Sequence, residues 1–385
     1  MSHSSQKMFS KRVFFHNYSF VKFSSSSKNN LTDNIKTFKK SMPTIVEKIE
    51  NVSKKTHPEI ENIQGDFKIL KSIGQKPVFD FKPLPLNMLK KVKYCLKTDN
   101  LTNYCGDRSY YFIGPLAKIE HALIQFTLSK LIKKGFKLVS VPDILPDELI
   151  KRCGMDTVGE RNQIYTLDNN YYGKKWCLSG TSEMALAGSL MNKNIPKNKL
   201  PLKLCSVSRC YRAEVSDIAE ERGMYRVHQF NKVEMFGACL PEESEYMTLY
   251  FRSIQEELFK SFDLHYRVLD MAKHELGNQA YRKYDIEAWM PGRKKYGEIS
   301  SCSDCTNYQS VRLSINSDGT YLHTVNGTAC AIPRLIIALA ETHQTADGSF
   351  KLPKELHSHV IGQHLFKNLS NFPKFTPIQA HRYKM

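Results

Sequence analysis

Alternation of apolar and polar side chains is sharpest between Val207 and Phe236. There VSRCYRAEVSDIAEERGMYRVHQFNKVEMF begins and ends on period-two runs around an acidic, glycine-containing stretch. The pattern predicts a two-stranded antiparallel hairpin with a long loop. Successive strand side chains point to opposite faces, so Arg226, His228, Phe230, Lys232 and Glu234 are expected on one face and Val227, Val233 and Met235 on the other. Arg212 and Glu214 end the first strand on the matching parity. Such a face can be the solvated side of an antiparallel sheet. It can equally be the floor for an anionic, aromatic, amine-bearing ligand that partners those charges. Spacing leaves both readings open.

The remaining pattern surrounds this hairpin with alternating element types. Leu31, Ile35, Phe38, Met42, Ile45, Ile49 and Val52 step by fours and threes, the seam of a coiled coil, with Pro43 as a kink. At about 1.5 Å per residue this stub would reach roughly 30 Å. Gly74, Pro77, Pro83 and Pro85 read as a linker. Leu116, Ile119, Leu123 and Phe126 form a helical stripe stopped at Gly135, and Phe136 to Val141 reads as a strand ending at Pro142. A loop and strand are expected over Trp176 to Ala187, and a polar helix over Pro241 to Phe262. Further strands are expected at Tyr266–Leu269, Asp285–Trp289 and Tyr296–Ser301, the last two joined by a turn at Pro291-Gly292. Asn326-Gly327-Thr328 leads into Pro333, Arg334 and an apolar helix running to about Gln344. Proline suits the first helical position, and an arginine beside a helix N-terminus suits phosphate, although it equally suits a structural ion pair.

Composition narrows the classes. In 385 residues, 56 Lys+Arg against 38 Asp+Glu give a net charge of +18, which favours a polyanionic partner such as nucleic acid. The 10 cysteines show one C-x-x-C, Cys302 to Cys305, with no second pair, so a zinc site is not expected and a reducing compartment is. No apolar run is long enough to cross a bilayer, so no membrane insertion is expected. The first 30 residues hold no acid, carry Lys7, Lys11, Arg12, Lys22 and Lys28, and end near the run Ser24 to Ser27. They read as a mitochondrial targeting segment, with a plain tail as the alternative. The expected organisation is this segment over 1–30, a short helical region and linker over 31–75, a main domain over 76–370 and a basic tail over 371–385.

At this point the residues match a known family. YRAE followed by YRVHQFNKVEMF resembles motif 2 of class II aminoacyl-tRNA synthetases, and specifically of seryl-tRNA synthetases. LSGTSEMAL at Leu178–Leu186 resembles their T-x-E loop. YDIEAWMPGRKKYGEISSCSDCTNYQS resembles the segment before motif 3, and HTVNGTACAIPRLIIALAETHQTADGSFKLP resembles motif 3 itself. The variants MPGRKKYGE and ACAIPR are most similar to the animal mitochondrial branch.

The resemblance implies an α+β class II catalytic domain, an antiparallel sheet flanked by helices with the site on the sheet, and a short N-terminal helical stub. It also implies a homodimer formed through the Phe136–Pro142 strand region. Arg212 would hold the α-phosphate and serine's carboxylate, Glu214 the adenine amino group, Phe230 the adenine ring, and Arg226 the terminal phosphates. Arg334 would cover the adenine's other face and meet the γ-phosphate, making Arg212 and Arg334 the catalytic pair. Glu298 and Ser301 would take Mg2+ carried by ATP. Thr181, Glu183, Glu234, Asn326 and Thr328 would hold L-serine. The implied activity is that of a serine--tRNA ligase of the mitochondrial matrix, charging mitochondrial tRNA(Ser) through seryl-adenylate, with Mg2+ and ATP and no covalent nucleophile.

Two features depart from the family pattern. Val311-Arg312 stands where paired arginines are usual, and the Leu31–Val52 stub stands where a long coiled-coil arm is usual. They support an alternative, a catalytically silent relative that binds tRNA or a synthetase partner. Retention of Arg212, Glu214, Arg226, Phe230, Glu234, Glu298 and Arg334 together favours the enzyme.

Overall fold

The structure is a computed structural model and describes residues 55–157, 162–168, 170, 175–214 and 223–361. The targeting segment expected at 1–30, the Leu31–Val52 stub, the tail at 371–385 and residues 215–222 of the hairpin loop lie outside these residues.

The architecture is built on eight strands: β1 Phe67–Ile73, β2 Lys137–Leu138, β3 Leu202–Tyr211, β4 Gln229–Cys239, β5 Tyr266–Met271, β6 Arg282–Met290, β7 Lys295–Thr306 and β8 His323–Ala331. They lie side by side in the order β1-β5-β6-β7-β8-β4-β3-β2. Every pairing is antiparallel except β2 with β3. The helices that matter here are α1 Pro115–Lys133, α2 Ser182–Ser189, α3 Ser244–Lys260, α4 Tyr308–Leu313 and α5 Ile332–Thr342. The expected antiparallel sheet flanked by helices is present.

Strand alternation divides the sheet into a dry face and a polar face. Val233 and Met235 of β4 are fully buried and share a core with Val325 of β8, Leu123 of α1, Phe251 of α3 and Ile336 of α5. The α1 stripe and the stop at Gly135 (φ 82°) follow the sequence, because the left-handed conformation there favours glycine. The predicted turn at Pro291-Gly292 joins β6 to β7, and a Cβ at Gly292 would collide with the backbone of Leu84. Helix α3 is less polar than expected, since Met247, Phe251, Ile254 and Leu258 make its buried stripe.

Four local expectations change. The predicted strand at Phe136–Val141 shrinks to β2, whose pairing ends after the Val139 N–H meets the Cys205 carbonyl at 2.9 Å. Residues 67–73, grouped with the linker, instead form the edge strand β1 paired to β5. The stretch after Trp176–Leu178 is helix α2, with Thr181 as its N-cap. Finally, β4 begins only at Gln229, so the shared parity does not extend to Arg226 and His228. The His228 Nδ1 lies 2.8 Å from the Tyr165 hydroxyl and 3.0 Å from the Arg212 carbonyl, where it braces the strand end. Among the described residues, no helix is long and apolar enough to cross a membrane.

Candidate functional site

On the polar face of the sheet lies a cavity of about 530 Å³. Every site residue expected from the sequence lines it: Arg212, Glu214, Arg226, Phe230 and Glu234 from the hairpin; Thr181 and Glu183 from the start of α2; Glu298 and Ser301 from β7; Asn326 and Thr328 from β8; Arg334 from α5. The sequence brings them together because β3, β4, β8 and β7 are consecutive neighbours in the sheet.

One end of the cavity is a buried charge cluster. Lys232 donates to Thr181 Oγ1 at 2.7 Å and pairs closely with Glu234. Thr328 donates to the same Glu234 carboxylate at 3.3 Å. Glu183 is held by Gln309 of α4, whose Nε2 donates to it at 2.7 Å. The Thr181 hydroxyl also accepts the Glu183 N–H at 3.3 Å, capping α2. Glu183, Lys232 and Glu234 are 7%, 5% and 2% exposed, so the two carboxylates and the one ammonium act without solvent between them. Burial, then the neighbouring Glu234, push the Glu183 carboxyl up to about 7, with Lys232 pulling the other way. The ionised form is the one that attracts an ammonium. Binding of an amine-bearing ligand here should therefore strengthen as pH rises through about 7 and weaken below it. A KM–pH profile for that ligand that stays flat between pH about 6 and about 8 would contradict this.

The other end is cationic and open. The Arg212 guanidinium lies 5.4 Å from the centre of the Phe230 ring, and the Arg212 N–H donates to the His228 carbonyl at 2.8 Å. Arg226 sits 3.6 Å from Glu214, which also accepts from Gln163 at 3.4 Å. Arg334 is turned towards Glu298, 3.0 Å away, and its guanidinium lies 4.9 Å from the Tyr225 ring. Arg293 approaches the same ring at 4.5 Å. The Tyr225 hydroxyl accepts the Glu298 N–H at 3.1 Å, and its carbonyl accepts from Arg334 Nε at 3.3 Å. Burial opposes ionisation of Glu298, but Arg334, Lys283 and Arg212 outweigh it and hold the carboxyl down at about 2. An ionised carboxylate beside a hydroxyl, Glu298 with Ser301, is the hard-oxygen donor set that a magnesium ion accepts.

Sequence reasoning passed over Lys232, Tyr225 and Gln309 as site residues. Lys232 was detectable, since it alternates with Phe230 and Glu234. Tyr225 and Gln309 carry no local signal, because their partners, Arg334 and Glu298 for the one and Glu183 for the other, lie on helices and strands far away in the chain. Neither Val311 nor Arg312 lines the cavity. Arg312 lies 3.6 Å over the Tyr308 ring and donates to the Tyr308 carbonyl at 3.0 Å. The departure at Val311 thus falls beside the site.

A family model described as the tRNA synthetase class II core domain (G, H, P, S and T) matches residues 165–343. A mitochondrial serine--tRNA ligase of Mus musculus is 41% identical over 313 residues, 79% of this chain and 60% of that protein. The chain therefore spans less than two thirds of the length of that relative. A serine--tRNA ligase of Treponema denticola is 39% identical over 82% of this chain and 76% of its own length. Among solved structures, the seryl-tRNA synthetase of Pyrococcus horikoshii complexed with ATP superposes with a TM-score of 0.76 at 29% identity, covering 87% of this chain and 81% of that one.

Proposed function

The chain belongs to the seryl-tRNA synthetase family of class II synthetases, and on that premise we propose that it is a mitochondrial serine--tRNA ligase. It would join L-serine and ATP into seryl-adenylate with loss of pyrophosphate, then pass the seryl group to the 3′ end of mitochondrial tRNA(Ser) in the matrix. The observation that carries this reading is the division of one cavity into an anionic, hydroxyl-lined end and a cationic end around Phe230. Glu183 and Thr181 suit serine's ammonium, and Glu234 with Thr328 suits its hydroxyl. Asn326, whose side chain donates to the Cys305 sulfur at 3.4 Å, lines the same end. Arg212 suits the carboxylate and α-phosphate, Phe230 the adenine ring, Glu214 its amino group, and Arg226 with Arg334 the terminal phosphates. A site that pairs a hydroxyl in this way rejects alanine strongly, because the polar partners would be left unpaired.

Glu298 and Ser301 would hold magnesium, which when bound neutralises charge on the phosphates. The protein's own part is positional: cations are fixed where negative charge develops, and no residue forms a covalent bond to the substrate. The homodimer would form along the β2 edge, where Leu138 is 52% and nearby Ile132 51% exposed. The net charge of +18 suits tRNA. The mitochondrial assignment draws on the mammalian relatives and the acid-free N-terminus. A silent copy has no reason to keep Arg212, Glu214, Arg226, Phe230, Glu234, Glu298 and Arg334 together around one cavity.

Serine-dependent ATP–pyrophosphate exchange by the purified chain with magnesium tests the proposal. No exchange above a serine-free control would reject it. Within the same assay, Tyr225→Leu should raise KM for ATP about tenfold with a smaller change in kcat, since it removes the ring under two guanidiniums. Tyr225→Phe, which keeps the ring, should stay within about threefold of wild type. Equal effects of the two substitutions would show that the stacking does not hold Arg334 in place.

A further inference from the structure

Lys232 is the buried charge for which the proposed chemistry has no use. Its ammonium touches none of the three phosphate-facing arginines; it sits between the Thr181 hydroxyl and the Glu234 carboxylate, at the end of the cavity where an amino acid would lie. Charge counting gives it a function. With Glu183 ionised, the form that an incoming ammonium favours, Glu183 and Glu234 supply two negative charges and the buried Lys232 one positive, so the pocket carries one unbalanced negative charge. One ligand ammonium balances it. A second would have to enter beside the Lys232 ammonium and compete with it for the same Glu234 oxygens, in a setting where water screens neither.

Hydrogen-bonding geometry alone does not exclude such a ligand. Replacing the hydroxyl of serine with an ammonium changes its size very little, and a carboxylate such as Glu234 accepts from an ammonium at least as well as from a hydroxyl. Thr328, the other neighbour of Glu234, is neutral and can also act as an acceptor. Of the cations that line the cavity among the described residues, Lys232 is the one ion-paired to Glu234 and so the one an incoming cation would meet there, while Glu183 would attract that cation. Gln309 and Asn326, which complete the wall around Glu183, are uncharged.

We propose that Lys232 is a specificity-determining residue that makes the cavity accept a side-chain hydroxyl and refuse a side-chain amine, so that serine is taken and L-2,3-diaminopropionate is excluded. This rests on the reading of the cavity as a serine site. The buried ammonium repels the wrong ligand rather than gripping the right one, at some cost in stability.

The test is pyrophosphate exchange by the full chain with L-serine and with L-2,3-diaminopropionate, at a pH above the Glu183 transition at about 7 and below that of the diamine's side-chain ammonium, so that the carboxylate is ionised and the side-chain amine charged. Wild type should favour serine by about a hundredfold or more in kcat/KM. Lys232→Gln keeps a donor for Thr181 and removes the charge; it should move the serine-to-diamine ratio at least about thirtyfold towards the diamine. Lys232→Arg keeps the charge and should leave the ratio within about threefold of wild type. An unchanged ratio in Lys232→Gln, or an equal shift in both variants, overturns the proposal. If neither variant folds, the wild type still decides, because efficient use of the diamine by the native chain would be incompatible with exclusion by Lys232. Failure of the serine reading shows separately, as no serine-dependent exchange by wild type at all.

Discussion

Replacing Arg212 with alanine should lower serine-dependent exchange by about a hundredfold to a thousandfold, with kcat and kcat/KM falling together. The proposed attack of the serine carboxylate on the α-phosphate places growing negative charge where this guanidinium lies, so its contribution is largest at the transition state. The structure holds the backbone at Arg212 by hydrogen bonds and places the guanidinium against Phe230 before any ligand arrives. The Arg212 N–H is tied to the His228 carbonyl, its carbonyl lies 3.0 Å from the His228 ring, and its guanidinium lies over Phe230. Arg212→Lys should recover only part of the loss, because a point charge lacks the planar fork that grips two oxygens. Thermal melting should be nearly unchanged in both variants, and retention of tRNA(Ser) likewise. Loss of exchange and of folding together would mean that the arginine holds the hairpin rather than the phosphate.

Glu234→Ala should be costly for both activity and stability. It leaves the Lys232 ammonium buried without its carboxylate, and breaking a buried pair from one side costs about 3–5 kcal/mol. For a chain of this size that is a fall of roughly 4–6 °C in the melting midpoint. Exchange should vanish with it, since the proposed partner of the serine hydroxyl is gone. The double variant Lys232→Met/Glu234→Met removes both charges and should regain most of the stability while remaining inactive. Urea midpoints for the wild type, both single variants and the double variant decide this. If Glu234→Ala melts with wild type, the two charges are not coupled in a dry site.

How far the sequence could be read depended on whether the signal was periodic or relational. Alternation at Val233 and Met235 located the dry face of β4, and with it the opposite placement of Phe230, Lys232 and Glu234, because a strand imposes period two wherever one face is buried. The same rule failed one turn earlier. Arg226 and His228 precede the strand, and His228 is drawn to Tyr165 and the Arg212 carbonyl by hydrogen bonds to groups far away in the chain. Helix α2 escaped because SEMALAGS is short and buried almost all round, leaving no amphipathic stripe to detect. Strand β2 was overestimated because an apolar run does not reveal where its partner stops; here pairing with β3, more than sixty residues on, ends beside Cys205. Motif resemblance reached the cavity lining by a different route, and geometry then added Tyr225 and Gln309, whose roles exist only once separate strands are adjacent.

The Thr181 hydroxyl has a consequence for how this site opens and closes. One oxygen both caps α2, by accepting the Glu183 N–H, and accepts the Lys232 ammonium that organises the carboxylates. Fraying of the first turn of α2 therefore dismantles the amino-acid seat, and filling the seat should suppress the fraying by the same free energy. The amide proton of Glu183 thereby becomes a reporter of occupancy: its rate of exchange with solvent should slow as the pocket fills, before any chemistry has taken place.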